Sequence, residues 1–217
     1  MQSVKAVRIA RFKLAYVVMT LVALVGGGLA GASFASSASD DELLYQADWS
    51  DGLNGWEGGK DWKTLNASLL NDGTGPDDAV NPILADFKPS TADYAVEAEI
   101  RVALSDDFTE LFGFVARVDG KGGGYASGLY DSYGYIWYVN TDSLCCGSTV
   151  TDGDYFDLDS EWHTYRVEVK GNEIRSLVDG TVLAEAVDNK YLEGDQVGLW
   201  SDEGTQLEVR SFKVFAI

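Results

Sequence analysis

Apolar and polar positions alternate along most of this chain with a period of two. In "DYAVEAEIRVAL", Tyr94, Val96, Ala98, Ile100 and Val102 interleave with Glu97, Glu99 and Arg101, the pattern of a strand with one buried and one wet face. Further runs follow at short intervals: "LFGFVARV", "GYASGLYD", "YGYIWYVN", "WHTYRVEVK", "EIRSLVD", "TVLAEAV", "QVGLW" and "LEVRSFKVFAI". No stretch carries a convincing helical period. Gly171-Asn172 and Asp179-Gly180 tolerate positive φ and each joins two alternating runs, so residues 162–187 read as a three-stranded meander. Many short strands with turn signals every roughly 8 to 12 residues predict an all-β sandwich or barrel.

The opening forty residues break this pattern. Lys5, Arg8, Arg11 and Lys13 precede an apolar run from Leu14 to Val25, interrupted by Thr20, and Ser33, Phe34 and Ala35 close it. That is the build of an export signal with cleavage near Ser36. Leu14 to Ala35 is also about long enough to span ~30 Å of hydrocarbon, so a retained membrane anchor is the rival reading. Either way the rest of the chain is expected outside the cytoplasm, secreted or at the cell surface. The organisation read here is a signal peptide or anchor over 1–35, a short linker over 36–42 and one domain over 43–217.

Charge narrows the partners. The first 35 residues hold four of the 16 basic residues and none of the 35 acidic ones, leaving a net charge of −23 for the remainder. So acidic a surface repels nucleic acid and anionic lipid, and contact with a membrane is expected only through the N-terminal segment if it is retained. Divalent cations and neutral glycans remain compatible.

Beyond periodicity, "EWHTYRVEVKGNEIRSLVDGTVLAEAVD", then "YLEGDQVGLWS" and the closing "LEVRSFKVFAI", resembles the second half of the concanavalin A-like lectin/glucanase superfamily. "YQADWSDGLNGWEGGKDWKTLNASLLNDG" is similar to the first strands of the LamG-like and 3-keto-disaccharide hydrolase-like groups. The resemblance covers nearly all of residues 43–217 and implies a two-sheet antiparallel jelly roll. It does not select an activity, because such domains include lectins, binding modules, glycosidases and adhesion modules.

The chemistry must therefore be sought in residues. His163, the single histidine, shares a strand side with Tyr165, Val167 and Val169 and reads as packing rather than as a catalytic base. Glu97 and Glu99 lie on one side of a strand with Cα atoms ~6.6 Å apart, a separation that suits glycoside hydrolysis. The glucanase branch carries a third acid on that strand, whereas here Arg101 follows, so a surface ion-pair row is the expectation and no catalytic residue is assigned. Asp152, Asp154, Asp157 and Asp159 crowd a loop-like stretch, "TDGDYFDLDSE", whose oxygen density suits calcium, and "NDGTGPDD" offers a second set. Such a loop can equally stand simply solvated. Tyr133, Tyr135 and Trp137 fall on one side of a strand, with Ile136 and Tyr138 on the other. With Trp200 they are the candidate rings for stacking on a sugar, the alternative being that they are core.

Cys145 and Cys146 are the only cysteines. Adjacent Cα atoms stand ~3.8 Å apart, below the range of an ordinary disulfide, and a bond between them closes almost no loop. A vicinal disulfide in a loop beside the aromatic stretch, or bonds to another chain, are the readings for an oxidising compartment. Asn66-Ala-Ser68 is a glycosylation sequon if the host modifies exported proteins. The leading expectation is an exported, noncatalytic domain that binds carbohydrate or a cell-surface partner. Alternatives are a glycoside or keto-sugar hydrolase and a structural or adhesion subunit of the cell surface.

Overall fold

The computed structural model describes residues 41–74, 81–103, 110–140, 145–202 and 204–217. The export or anchor segment and part of "NDGTGPDD" lie outside them. Among the described residues no helix is long and apolar enough to cross a membrane.

The described strands are β1 (Glu42–Ala47), β2 (Trp56–Gly58), β3 (Trp62–Leu65), β4 (Ser68–Asp72), β5 (Asn81–Ala85), β6 (Tyr94–Ala103), β7 (Leu111–Val118) and β8 (Gly123–Tyr130). They continue with β9 (Tyr133–Asn140), β10 (Cys145–Tyr155), β11 (Trp162–Lys170), β12 (Glu173–Val178), β13 (Thr181–Val187), β14 (Gln196–Ser201) and β15 (Gln206–Ala216). They form two antiparallel sheets. One has eight strands in the order β13-β12-β11-β6-β15-β4-β3, with β1 also paired to β15, and the other has seven in the order β10-β9-β8-β7-β14-β5-β2. Strands distant in sequence also lie side by side: β6 pairs with β11 and β15, and β7 with β14. Long connections that return strands to distant neighbours make the sandwich a jelly roll.

The period-two pattern fills the space between the sheets. Val96, Ala98, Ile100, Val167, Val169, Val209, Phe212 and Val214 of the eight-stranded sheet meet Phe112, Phe114, Tyr125, Leu129, Ile136, Val197 and Leu199 of the other in one cluster. Burying a side chain of this size contributes about 1.5–3 kcal/mol. The meander over 162–187 forms as β11-β12-β13, with Gly171, Asp179 and Gly180 at positive φ in its two turns. In β15 the alternation slips: the register shifts between Val209 and Ser211, so Val209 and Phe212 both point inward. One extra residue bulges the strand and keeps Arg210 exposed.

Arg117 departs from the pattern. As a polar position in an alternating run it reads as wet, yet it is 1% exposed. It takes φ +49° at the end of β7, its N–H donates to the Tyr94 hydroxyl at 2.7 Å, and its guanidinium donates to the carbonyls of Gly171 (2.7 Å) and Ala92 (2.9 Å). The cation thus ties β7 to the start of β6 and to the β11–β12 turn.

Candidate functional site

The strand register arranges the outer face of the seven-stranded sheet into rows. Tyr155 of β10 stands opposite Tyr133 of β9, which stands opposite Tyr130 of β8. The next row runs Asp152, Tyr135, Gly128, Gly113 and Trp200. The third runs Thr149, Trp137, Ala126, Val115 and Gly198.

The first row is open. Tyr130, Tyr133 and Tyr155 are 45%, 50% and 57% exposed. Tyr133 and Tyr155 meet edge to face with centroids 5.4 Å apart, and Tyr130 leans on Trp137 at 5.5 Å. Trp137 is half-buried, and its indole N–H, shielded from solvent, meets no protein acceptor among the described residues. The row rests on a two-residue hairpin turn, Asp131 and Ser132, both at positive φ. Glu110 accepts the Asp131 N–H, and Ser132 accepts that of Phe156 at 2.7 Å, so the turn is tied on both sides. The charge of Asp157 and, more weakly, that of Asp131 push the Tyr155 hydroxyl above its ordinary pKa. The Tyr155 hydroxyl donates to Asp157 at 3.3 Å.

The second row is closed, which corrects two of the expected rings. Tyr135 and Trp200 are each 1% exposed. The Tyr135 hydroxyl reaches the Phe112 carbonyl, two strands away, at 3.3 Å. Its ring therefore crosses β8 above Gly128 and meets Trp200 edge to face at 6.1 Å. There β7 and β8 approach closely at two paired glycines: a Cβ on Gly128 would stand 2.0 Å from the Phe112 oxygen, and one on Gly113 2.1 Å from that of Ser127. Tyr135 and Trp200 are structural rings packed with Leu111, Val115, Val118, Ala126 and Val139. Of the expected set, Tyr133 and part of Trp137 face outward. Tyr130 and Tyr155 were missed because only strand register, not spacing along the chain, brings them beside Tyr133.

The acidic stretch is also corrected. Its first half is strand β10 rather than loop, with Asp152 and Asp154 exposed on it. Asp157 holds Tyr155, and Asp159 accepts from the Glu161 N–H at 2.8 Å and faces His163. Among the described residues no three metal-ligating side chains converge.

His163 packs edge-on against Phe156 and Tyr165, with centroids at 5.0 and 6.3 Å. Its Nδ1 lies 2.7 Å from Asp179 and its Nε2 3.0 Å from Asp159. Burial alone would lower its pKa, but the two carboxylates outweigh burial and hold it above the ordinary value.

Glu97 and Glu99 lie on the outer face of the eight-stranded sheet, in a cross-strand ion-pair ladder. Arg210 pairs with Glu99, Arg101 with Glu208, and Arg166 with Asp41 (2.6 Å), Glu168 (2.9 Å) and Glu97 (3.3 Å). Trp162 lies between the guanidinium groups of Arg101 and Arg210, at 5.1 and 4.6 Å. The expected row exists, although Arg101 serves Glu208 rather than its own strand's acids. Cys145 and Cys146 begin strand β10, opposite Asn140 and Val139, and not a loop as expected; their side chains lie outside the description.

No family model matches the sequence, and no curated protein does. Solved structures match in fold. The carbohydrate binding module CBM66 from Bacillus subtilis aligns with 72% of this chain and 94% of its own at 17% identity and a TM-score of 0.57. The catalytic domain of an endo-1,3-β-glucanase (laminarinase) from Thermotoga petrophila RKU-1 aligns with 81% and 98% at 8% identity and 0.57. The Emp46p carbohydrate recognition domain aligns with 81% and 95% at 12% identity and 0.56. With its two antiparallel sheets and crossed strand order, this chain has the jelly-roll sandwich fold that these solved structures share.

Proposed function

We propose that this protein is an exported, noncatalytic jelly-roll domain that binds carbohydrate through the row Tyr155, Tyr133 and Tyr130, backed by Trp137. The observation that carries this reading is the exposure of three tyrosines aligned across adjacent strands on a hairpin fixed at its turn. Flat rings with a polar tip stack on sugar faces with little loss of side-chain freedom. The fold relatives include a carbohydrate binding module and a carbohydrate recognition domain. Export or anchoring by residues 1–35 would present the domain outside the cytoplasm, where a cell-surface partner and a Cys145–Cys146 ring belong to the same proposal.

A glycan array on the full chain, run with calcium and with chelator, tests the reading. Saturable binding that drops at least tenfold in Tyr133→Ala and Tyr155→Ala supports it, and loss with chelator adds calcium to the site. Binding unchanged in both variants refutes the row as the site. A hydrolase is the second reading, motivated by the laminarinase relative. Glu97 and Glu99 are committed to arginines, which argues against their serving as acid and nucleophile. Oligosaccharide turnover abolished by Glu97→Gln or Glu99→Gln would reverse that preference.

A further inference from the structure

The two ring nitrogens of His163 face two carboxylates on separate segments. Asp159 lies in the connection between β10 and β11, and Asp179 in the turn between β12 and β13. A neutral imidazole has one N–H and can satisfy one of them; only the imidazolium donates to both. Among the described residues, the titratable groups facing the ring are Asp159 from the β10–β11 connection, Asp179 from the β12–β13 turn and Tyr165 from its own strand. Phe156, from the end of β10, packs on its face and carries no charge.

This ring is linked to the tyrosine row through Phe156. Phe156 follows Tyr155 directly, its N–H is held by Ser132 of the hairpin turn, and the Leu158 N–H turns back to the Phe156 carbonyl at 2.9 Å. The segment from Tyr155 to Glu161 is thus held by the hairpin at Phe156, by Leu158 in the core and by Asp159 on His163. The two arms differ. Asp179 receives the shorter bond, and its other oxygen accepts the Thr164 N–H at 2.9 Å. Asp159 uses one oxygen for both the Glu161 N–H and His163, and it is more exposed. Loss of a proton from the ring therefore leaves the remaining N–H on Nδ1 toward Asp179. It sets the Nε2 lone pair against the Asp159 carboxylate, which repels it.

We propose that His163 is a positioning residue for the tyrosine row: as imidazolium it fastens the 156–161 segment to the β12–β13 turn, and on deprotonation it releases Asp159 and frees Tyr155 to move. The link from Tyr155 to ligand rests on the carbohydrate reading above. The latch itself does not.

The single histidine makes the test direct. In the full chain labelled at histidine and tyrosine, one imidazole resonance reports the titration. The Tyr155 ring signal and the amides of Phe156 to Glu161 are expected to shift with the same midpoint, and those amides to exchange roughly five- to tenfold faster above it. Asp159→Asn leaves a carboxamide that can donate to the unprotonated Nε2, so the expected profile for the segment is flat while the imidazole still titrates. Tyr155 and 156–161 signals that ignore the imidazole midpoint, or that keep it in Asp159→Asn, overturn the proposal. His163→Gln checks it from the other side: the segment is expected to exchange rapidly at all pH values, and slow exchange with wild-type pH dependence would refute the latch. A protein that binds no glycan but shows these shifts loses the carbohydrate reading and keeps the latch.

Discussion

The Tyr135 hydroxyl donates to the Phe112 carbonyl across an entire intervening strand, at 3.3 Å. At the position it spans, β7 and β8 approach so closely that Gly128 has no room for a side chain. Replacing Gly128 with alanine places a methyl group 2.0 Å from the Phe112 oxygen, backbone that cannot step aside. The expected loss is about 3 kcal/mol or more, against about 1 kcal/mol for Tyr135→Phe, which removes only the hydrogen bond. Urea unfolding of the two variants measures both, and equal costs would contradict the close approach of β7 and β8 at Gly128.

Arg117 is the buried cation of the fold, and its partners are backbone carbonyls rather than carboxylates. Arg117→Met keeps the volume and leaves the carbonyls of Gly171 and Ala92 without their donor. A loss of about 2–4 kcal/mol is expected in chemical denaturation, with partial recovery in Arg117→Lys, which can reach one carbonyl but not both.

The His163 latch also makes stability depend on pH. The folded-state pKa of His163 is raised, so its contribution is full below the unfolded value near ~6.5 and is lost as pH rises through the folded value. Asp159 is lowered, first by the Glu161 N–H and then by His163, so its contribution is full above ~3.9 and is lost as pH falls through the folded value. The latch is complete only between the two folded pKa values. The difference in unfolding midpoint between the wild type and His163→Gln is expected to be largest in mildly acidic buffer and to shrink toward both extremes. A difference that grows above neutral pH would contradict the imidazolium assignment.

The β3–β4 turn holds Asn66 and Ala67 at φ +52° and +58°. A left-handed conformation costs a non-glycine residue about 1–2 kcal/mol, and Ala67 is exposed, with no packing to lose. Ala67→Gly is expected to raise stability by about 0.5–1 kcal/mol after the extra chain entropy of glycine is counted, read as a higher melting temperature. The substitution leaves the sequon at Asn66 intact.

Where the fold was legible, one rule carried it. Alternation named the inward faces of β6, β11 and β12, because a strand buried on one side writes its burial every second residue. That rule fails on the seven-stranded sheet, where β7 and β8 are buried on both faces, and there Tyr135 and Trp200 could not be told from surface rings. The burial of Arg117 could not be read from its own strand for a related reason: it depends on two carbonyls 54 and 25 residues distant in sequence. The tyrosine row was half visible. Tyr133 stood out along its own strand, but Tyr130 and Tyr155 join it only through register, which a single strand's pattern does not record. His163 was read as a packed ring and does pack on Phe156 and Tyr165, while its carboxylates, Asp159 and Asp179, lay on segments whose meeting depends on topology.

The ion-pair ladder has a consequence for how the molecule meets its surroundings. Arg101, Arg166, Arg175, Arg210 and Lys213 all stand on strands of the eight-stranded sheet, whereas the strands of the seven-stranded sheet hold one basic residue, Arg117, and it is buried. The two broad sides are thus electrically unlike: one is a zwitterionic mosaic and the other bears aromatic rings among unbalanced acids. A polyanionic surface is therefore expected to repel the ring-bearing face more strongly than the mosaic.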